Sequence, residues 1–244
     1  FSYGGMEKSL VNLINIAKIN EKYKLTLFVV YKGENNYINI LPPNLNIKFA
    51  CKGKWNLCGK IQASINLLFE YVLCLFKKYD VSVSFSYQHA ILNKLTRLSS
   101  ENSICFIHGN IEKSRSKKEF NELLKKSKYD KFKKIVCVSN DSLLTMKKIL
   151  KNKKIYFINN LIDGEEILKK SKENITNYNF EKSKTTFINV SRHDEKVKKL
   201  IRIINATQKL NKDGYIFNVL FIGSGNDSEL YKNIIKDKQI ENIY

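Results

Sequence analysis

The chain has 244 residues, enough for one large or two smaller domains with real cores, and 43 lysines and arginines against 23 acidic residues give it a formal net charge of +20. Size excludes no enzyme, and the charge suits nucleic acid, an anionic membrane or a phosphorylated substrate. The lysines are spread along nearly the whole chain among many Asn and Ile, with no arginine-rich arm, zinc-finger spacing or aromatic RNP-like run. Nucleic acid is therefore not the expected partner, and a basic nucleic-acid-binding protein is the weaker alternative.

In chain order, Phe1-Ser2-Tyr3-Gly4-Gly5-Met6-Glu7 reads as a loop entering a helix that carries Leu10, Leu13, Ile14 and Ala17 on one face. A strand ought to precede such a loop, so the first strand of this domain is expected to lie outside the sequence. Lys24 to Val30 and Asn46 to Ala50 read as strands, separated by the Pro42-Pro43 loop. Ile61 to Tyr79 reads as helix, Val81 to Phe85 as strand, His89 to Leu98 as helix and Ile104 to Ile107 as strand. A charged helix, Lys117 to Lys126, follows, then strand Ile135 to Val138, helix Asp141 to Leu150 capped by Ser139 or Asn140, and strand Ile155 to Ile158. The most apolar helix contains Gln62, Asn66 and Glu70, which favours a packed helix over a membrane span. Repeated βα units with nearly continuous apolar strands imply a parallel sheet covered on both faces.

Beyond Asn159-Asn160-Leu161-Ile162-Asp163-Gly164, residues 169–184 are polar and lysine-rich and read as an interdomain linker. A second series follows: strand Thr186 to Val190, helix Lys196 to Leu210, strand Phe217 to Ile222, loop Gly223-Ser224-Gly225-Asn226 and helix Asp227 to Lys236. Two strands and two helices do not close a doubly wound domain, so 185–244 reads as its first half. The expected organisation is thus an α/β protein of two Rossmann-like domains, 1–168 and 185–244.

Cys51, Cys58, Cys74, Cys105 and Cys137 are odd in number and include no CxxC pair, which reads as a reduced, cytoplasmic protein. No signal peptide is visible, and no metal site can be argued from these cysteines and three scattered histidines. Walker A, HExxH and GxSxG motifs are lacking, which leaves kinase, metalloenzyme and hydrolase readings without support.

Four features fall on loops at the carboxyl ends of strands, where open α/β sheets bind ligands: Gly4-Gly5, His108-Gly109-Asn110, Arg192 with Lys196 or Lys198, and Gly223-Ser224-Gly225. The strongest is Val190 to Leu200, where an apolar strand delivers Arg192 to a helix start. Helix amides and an arginine fork together favour phosphate. A solvated, lysine-rich helix start fits the same residues.

The order of Gly4-Gly5-Met6-Glu7-Lys8-Ser9-Leu10, Ile135 to Ser139, Asn159 to Asp163, the Ser191-Arg192 to Lys198 loop and Phe221-Ile222-Gly223-Ser224-Gly225 resembles glycosyltransferase family 4. These are retaining sugar transferases of GT-B fold, and the chain looks most like bacterial members that build capsular, lipopolysaccharide or other surface glycans. The resemblance implies a nucleotide diphosphate sugar as donor, a glycan or lipid-linked acceptor and no metal or other cofactor. It implies that Arg192 and Lys198, with Lys196 as fallback, hold the diphosphate and that Gly4 and Gly5 face the phosphates or the acceptor. His108 would stand against the donor sugar, and Gly223 and Gly225 on the nucleotide side. Two glutamates that the family carries later in its second domain fall beyond Tyr244, so this polypeptide is expected to be a fragment with little transferase activity. A non-catalytic nucleotide-sugar or phosphate-binding module is the alternative. The net charge further suggests a peripheral seat on an anionic membrane face.

Overall fold

The computed structural model describes residues 4–19, 22–33, 37–76, 78–151, 153–175 and 183–244. Residues 1–3 of the opening loop and 176–182 of the expected linker lie outside these. The chain divides into two compact units, Phe1–Leu168 and Lys169–Tyr244.

In the first unit, helix α1 (Gly5–Ile19) and strands β1 (Thr26–Tyr31) and β2 (Asn46–Cys51) come first, the strands pairing in parallel with Thr26 opposite Asn46. The buried faces of Val11 and Ile14 on α1 meet Leu41 and Leu45 on one side of this pair. Helix α2 (Leu57–Phe76) covers the other side through Ala63, which packs with Ala50 and Cys51. It begins four residues earlier than its apolar period suggests, because the Asn56 side chain accepts the Gly59 amide at 3.0 Å and caps the first turn.

A four-stranded parallel sheet follows in the order β3 (Ser82–Ser84), β4 (Ser103–Ile107), β5 (Lys134–Cys137), β6 (Ile155–Phe157). Its connections are α3 (Ala90–Ser99), α4 (Lys117–Ser127) and α5 (Asn140–Ile149). The β-branched and sulfur-bearing faces of β4 and β5 bury Cys105, Ile107, Ile135 and Cys137 against Tyr129, Phe132 and Met146. Ser116 and Glu119 form a reciprocal capping box on α4, and Ser139, rather than Asn140, caps α5. A further helix, α6 (Gly164–Lys170), starts where the Asp163 carboxylate accepts the Glu166 amide at 2.9 Å, so the polar stretch expected to be linker begins as helix. Lys8 pairs with Glu166 at 2.9 Å and Asn12 donates to the Leu161 carbonyl at 2.9 Å, fastening α1 to this segment.

In the second unit, β7 (Thr185–Val190) and β8 (Phe217–Ile222) pair in parallel over their full length, with Val219 bridged on its other side to Ile243. The single helix expected between them is two: α7 (Glu195–Lys198) and α8 (Ile201–Lys212). Lys199 adopts φ 55° and ends α7, which lets Leu200 drop fully into the core beside Ile204, Phe217 and Tyr231. Helix α9 (Ser228–Asp237) contributes Tyr231 and closes the series.

Candidate functional site

Each unit presents one constellation at the carboxyl ends of its strands. In the first, β4 ends at Ile107 and hands on to His108, whose ring lies 4.3 Å from that of Phe85 and 6.0 Å from that of Phe106. The loop carrying Phe85 and Tyr87 is held from beneath: the Tyr87 carbonyl accepts the Tyr129 hydroxyl and the Asn93 amide, both at 2.8 Å, and Ser84 donates to Asn93 at 2.6 Å. These partners are buried, so the network fixes the aromatic wall. Both His108 ring nitrogens are buried and make no well-formed hydrogen bond among the described residues. Burial pushes the imidazole down to about 4, a shift that the nearby Asn160 side chain partly opposes. His108 is therefore a neutral ring at physiological pH, able to donate at one nitrogen and accept at the other.

The adjoining turn is rigid for local reasons. Asn110 accepts the Glu112 and Lys113 amides, each at 3.0 Å, and donates to Asp141 at 2.8 Å and to Thr145 at 3.0 Å. Lys113 meets the same Asp141 carboxylate at 2.8 Å and, with Asn110, holds its pKa below the usual range. Gly4 and Gly5 open α1. A side chain on Gly5 would meet nothing within 4 Å, and one on Gly4 would meet only the mobile end of Glu7, so no close packing within this unit demands either glycine.

The second unit is built differently. Its glycine loop lies directly on the Ser191–His193 backbone. A Cβ on Gly223 or Gly225 would overlap the carbonyls of Ser191 and His193, and Gly223 takes φ 148°, a conformation that side chains rarely adopt. The contact is stitched by the Ser191 amide to Ile222 at 3.0 Å and the His193 amide to Ser224 at 2.9 Å. His193 Nδ1 and the Ser228 hydroxyl lie 2.9 Å apart, and the same hydroxyl accepts the Gly225 amide. Sequence reasoning passed over His193, although its place between Arg192 and the acidic pair offered a signal.

A cleft of about 1030 Å³ opens here, lined by Arg192, Lys196, Lys199 and Arg202 together with Asp194, Glu195 and Asp227. The three carboxylates are already engaged. Asp227 accepts the Glu195 amide at 2.7 Å, Glu195 accepts the Ile201 amide at 3.2 Å, and Asp194 pairs with Arg192 at 3.3 Å. Among the described residues Lys196, Lys199 and Arg202 make no ion pair, so the cleft keeps uncommitted positive charge. Beneath it, burial and then the Glu195 carboxylate push the Tyr231 hydroxyl up to about 12.

Two of the sequence expectations fall at this cleft. The first amide of α7, that of Glu195, is held by Asp227, and α7 is only four residues long, so side chains more than a macrodipole carry the positive charge. Lys196, Lys198 and Lys199 are all exposed, and of the three Lys196 and Lys199 line the cleft.

No family model matches the chain, and no curated protein matches its sequence. Solved structures do. Over 73% of the chain and 36% of the other protein, it is similar to a point mutant of S. aureus TarM in complex with fondaparinux, α-GlcNAc-glycerol and UDP, with 14% identity and a TM-score of 0.53. Over 76% of the chain and 37% of the other, it is similar to the pneumococcal O-GlcNAc transferase GtfA in complex with UDP and GlcNAc, with 15% identity and a TM-score of 0.51. The chain thus spans little more than a third of the length of either protein. The likeness is one of fold, and the fold class is Rossmann-like α/β of the GT-B type.

Proposed function

We propose that the protein is a retaining glycosyltransferase of family 4 type that moves a sugar from a nucleotide diphosphate sugar to a surface-glycan or lipid-linked acceptor. The observation that carries this is the cleft of the second unit, where Lys196, Lys199 and Arg202 stand beside Arg192 while the carboxylates among them are bonded internally. Such a cluster suits a diphosphate. Departure of a nucleoside diphosphate builds negative charge on the leaving oxygen, and preorganised cations lower the barrier by stabilising that charge more in the transition state than in the ground state. Arg192 has this role in the proposal, with Lys196 and Lys199, which line the cleft, as its partners in place of the Lys198 that the family resemblance implies.

Two solved structures of similar fold were obtained with UDP, which supports a uridine nucleotide among the donors to try first. Gly223 and Gly225 bring the β8 turn against the Arg192 loop, and His108 offers a neutral hydrogen-bonding ring suited to an uncharged hydroxyl. The reading calls for no metal or other cofactor. It includes a cytoplasmic location with a peripheral seat on an anionic membrane face, motivated by the net charge.

Release of sugar from UDP- and GDP-sugars by the complete protein tests the proposal. A transferase gives turnover that rises with added glycan acceptor. Saturable donor binding with no turnover in the presence of acceptors would instead favour a nucleotide-sugar-binding module.

A further inference from the structure

Helix α2 is apolar on the wrong side. Two of its polar residues point toward the protein: Asn66 donates to the Ala50 carbonyl at 2.8 Å, and Glu70 holds Lys48 at 2.8 and 3.1 Å, both on β2, while Lys60, Gln62 and Ser64 are exposed at the edges of the helix. Gly59, Ala63 and Cys74 are buried on that same flank. At 3.6 residues per turn Leu57, Ile61, Ile65, Leu68, Phe69 and Val72 fall within an arc of about 120° on the opposite flank. All six are exposed, Leu57 at 74%, and the stripe runs on to Phe76 at 83%. An ordinary covering helix of an α/β sheet shows the reverse pattern, with its polar face outward. A stripe of this length, about 30 Å for twenty residues, is contiguous and not scattered surface hydrophobicity.

Charge identifies what docks. Lys52, Lys54 and Lys60 are exposed around the start of α2, and Trp55 beside them is 44% exposed with its ring 5.1 Å from that of Tyr31. From Lys52 to Phe76 the one carboxylate is Glu70, which is spent on Lys48. An apolar stripe ending in lysines and an interfacial indole, free of available acid, matches an anionic bilayer: acyl chains take the stripe and headgroup phosphates take the lysines. A second copy of the chain would bring the same lysines and no carboxylate in return. No helix among the described residues is long and apolar enough to cross a membrane, and α2 is fastened along its inner flank, so it would lie in the interface plane.

We propose that the outer face of α2, with Trp55 and the lysines at its start, is a membrane-docking surface selective for anionic lipid. The inference gives the peripheral seat proposed above from net charge a definite element, and it rests on no part of the sugar-transfer reading.

The test is sedimentation of the full chain with vesicles of phosphatidylcholine alone or mixed with phosphatidylglycerol. Binding is expected to the mixed vesicles, and replacing Leu68 and Phe69 by Glu is expected to weaken partition by about a hundredfold or more. Lys54→Gln with Lys60→Gln is expected to lose about fivefold per lysine on anionic vesicles only. Ile216→Glu, an exposed position in the second unit, should leave binding unchanged. Cys58, alone of the five cysteines exposed and in the first turn of α2, carries an environment-sensitive dye as a readout independent of the variants. Its emission should shift to the blue with anionic vesicles. Absence of parent binding would overturn both the seat and the surface. Parent binding that the Leu68 and Phe69 changes leave intact would overturn the surface alone, as would a concentration-dependent dimer that those changes abolish without vesicle binding.

Discussion

The two units solve opposite electrostatic problems with the same βα grammar. The first places an imidazole among Phe85, Tyr87 and Phe106 and holds it neutral by burial. The second gathers four cations around an open cleft and ties down the intervening carboxylates on backbone amides and on Arg192. A neutral, desolvated ring is suited to hydroxyl groups, and an exposed cation cluster is suited to phosphates.

The backbone under each site sharpens the contrast. Gly223→Ala is expected to cost about 3 kcal/mol, because it combines a strained φ with overlap on the Ser191 carbonyl. Gly109→Ala beside His108 should stay within about 0.5 kcal/mol, since its nearest contact would be an ordinary 3.7 Å to the Tyr87 hydroxyl. Urea unfolding of the two variants checks the pair, and equal losses would erase the distinction between a packed glycine turn and a permissive one.

Next in size is the pH dependence carried by His108. Its folded pKa of about 4 lies below the ordinary 6.5, so the unfolded chain takes up a proton between these values while the folded chain resists. Stability is then complete above pH 6.5 and declines as pH falls toward 4, by at most about 3 kcal/mol. His108→Phe should flatten this slope while leaving stability near pH 7 little changed. Denaturation at pH 7 and pH 5 reads the difference, and a slope that survives the substitution would assign it elsewhere.

The smallest effect concerns the loop of the second unit. Asp227→Ala removes the acceptor of the Glu195 amide and should cost about 1 kcal/mol, as a lost helix cap does. It should also free that amide and raise, not lower, affinity for an anion in the cleft. A loss of anion binding in this variant would mean that Asp227 shapes the site instead of competing for it.

Strand and helix order was legible from the apolar runs, and β8 from Phe217 to Ile222 coincides with its run residue for residue. The break at Lys199 was not legible, because the apolar period of Leu200, Ile203 and Ile204 continues smoothly across a left-handed residue that only tertiary burial of Leu200 requires. For the same reason the family resemblance points to Lys198, with Lys196 as fallback, and does not point to Lys199. The glycines of the β8 turn were legible as a turn, but not as the partner of the Arg192 loop, since that contact joins residues more than thirty positions apart. Helix α2 was legible as apolar. That Asn66 and Glu70 serve the inner flank, leaving the outer one bare, depends on where β2 lies.

The most direct test of the diphosphate assignment is a calorimetric titration of UDP into the complete protein and into its Arg192→Ala, Lys199→Ala variant, with Lys198→Ala alongside. Loss of two charge-assisted contacts should weaken binding by about a hundredfold or more, whereas Lys198→Ala should change it little. Equal affinity of the parent and the double variant would contradict the assignment.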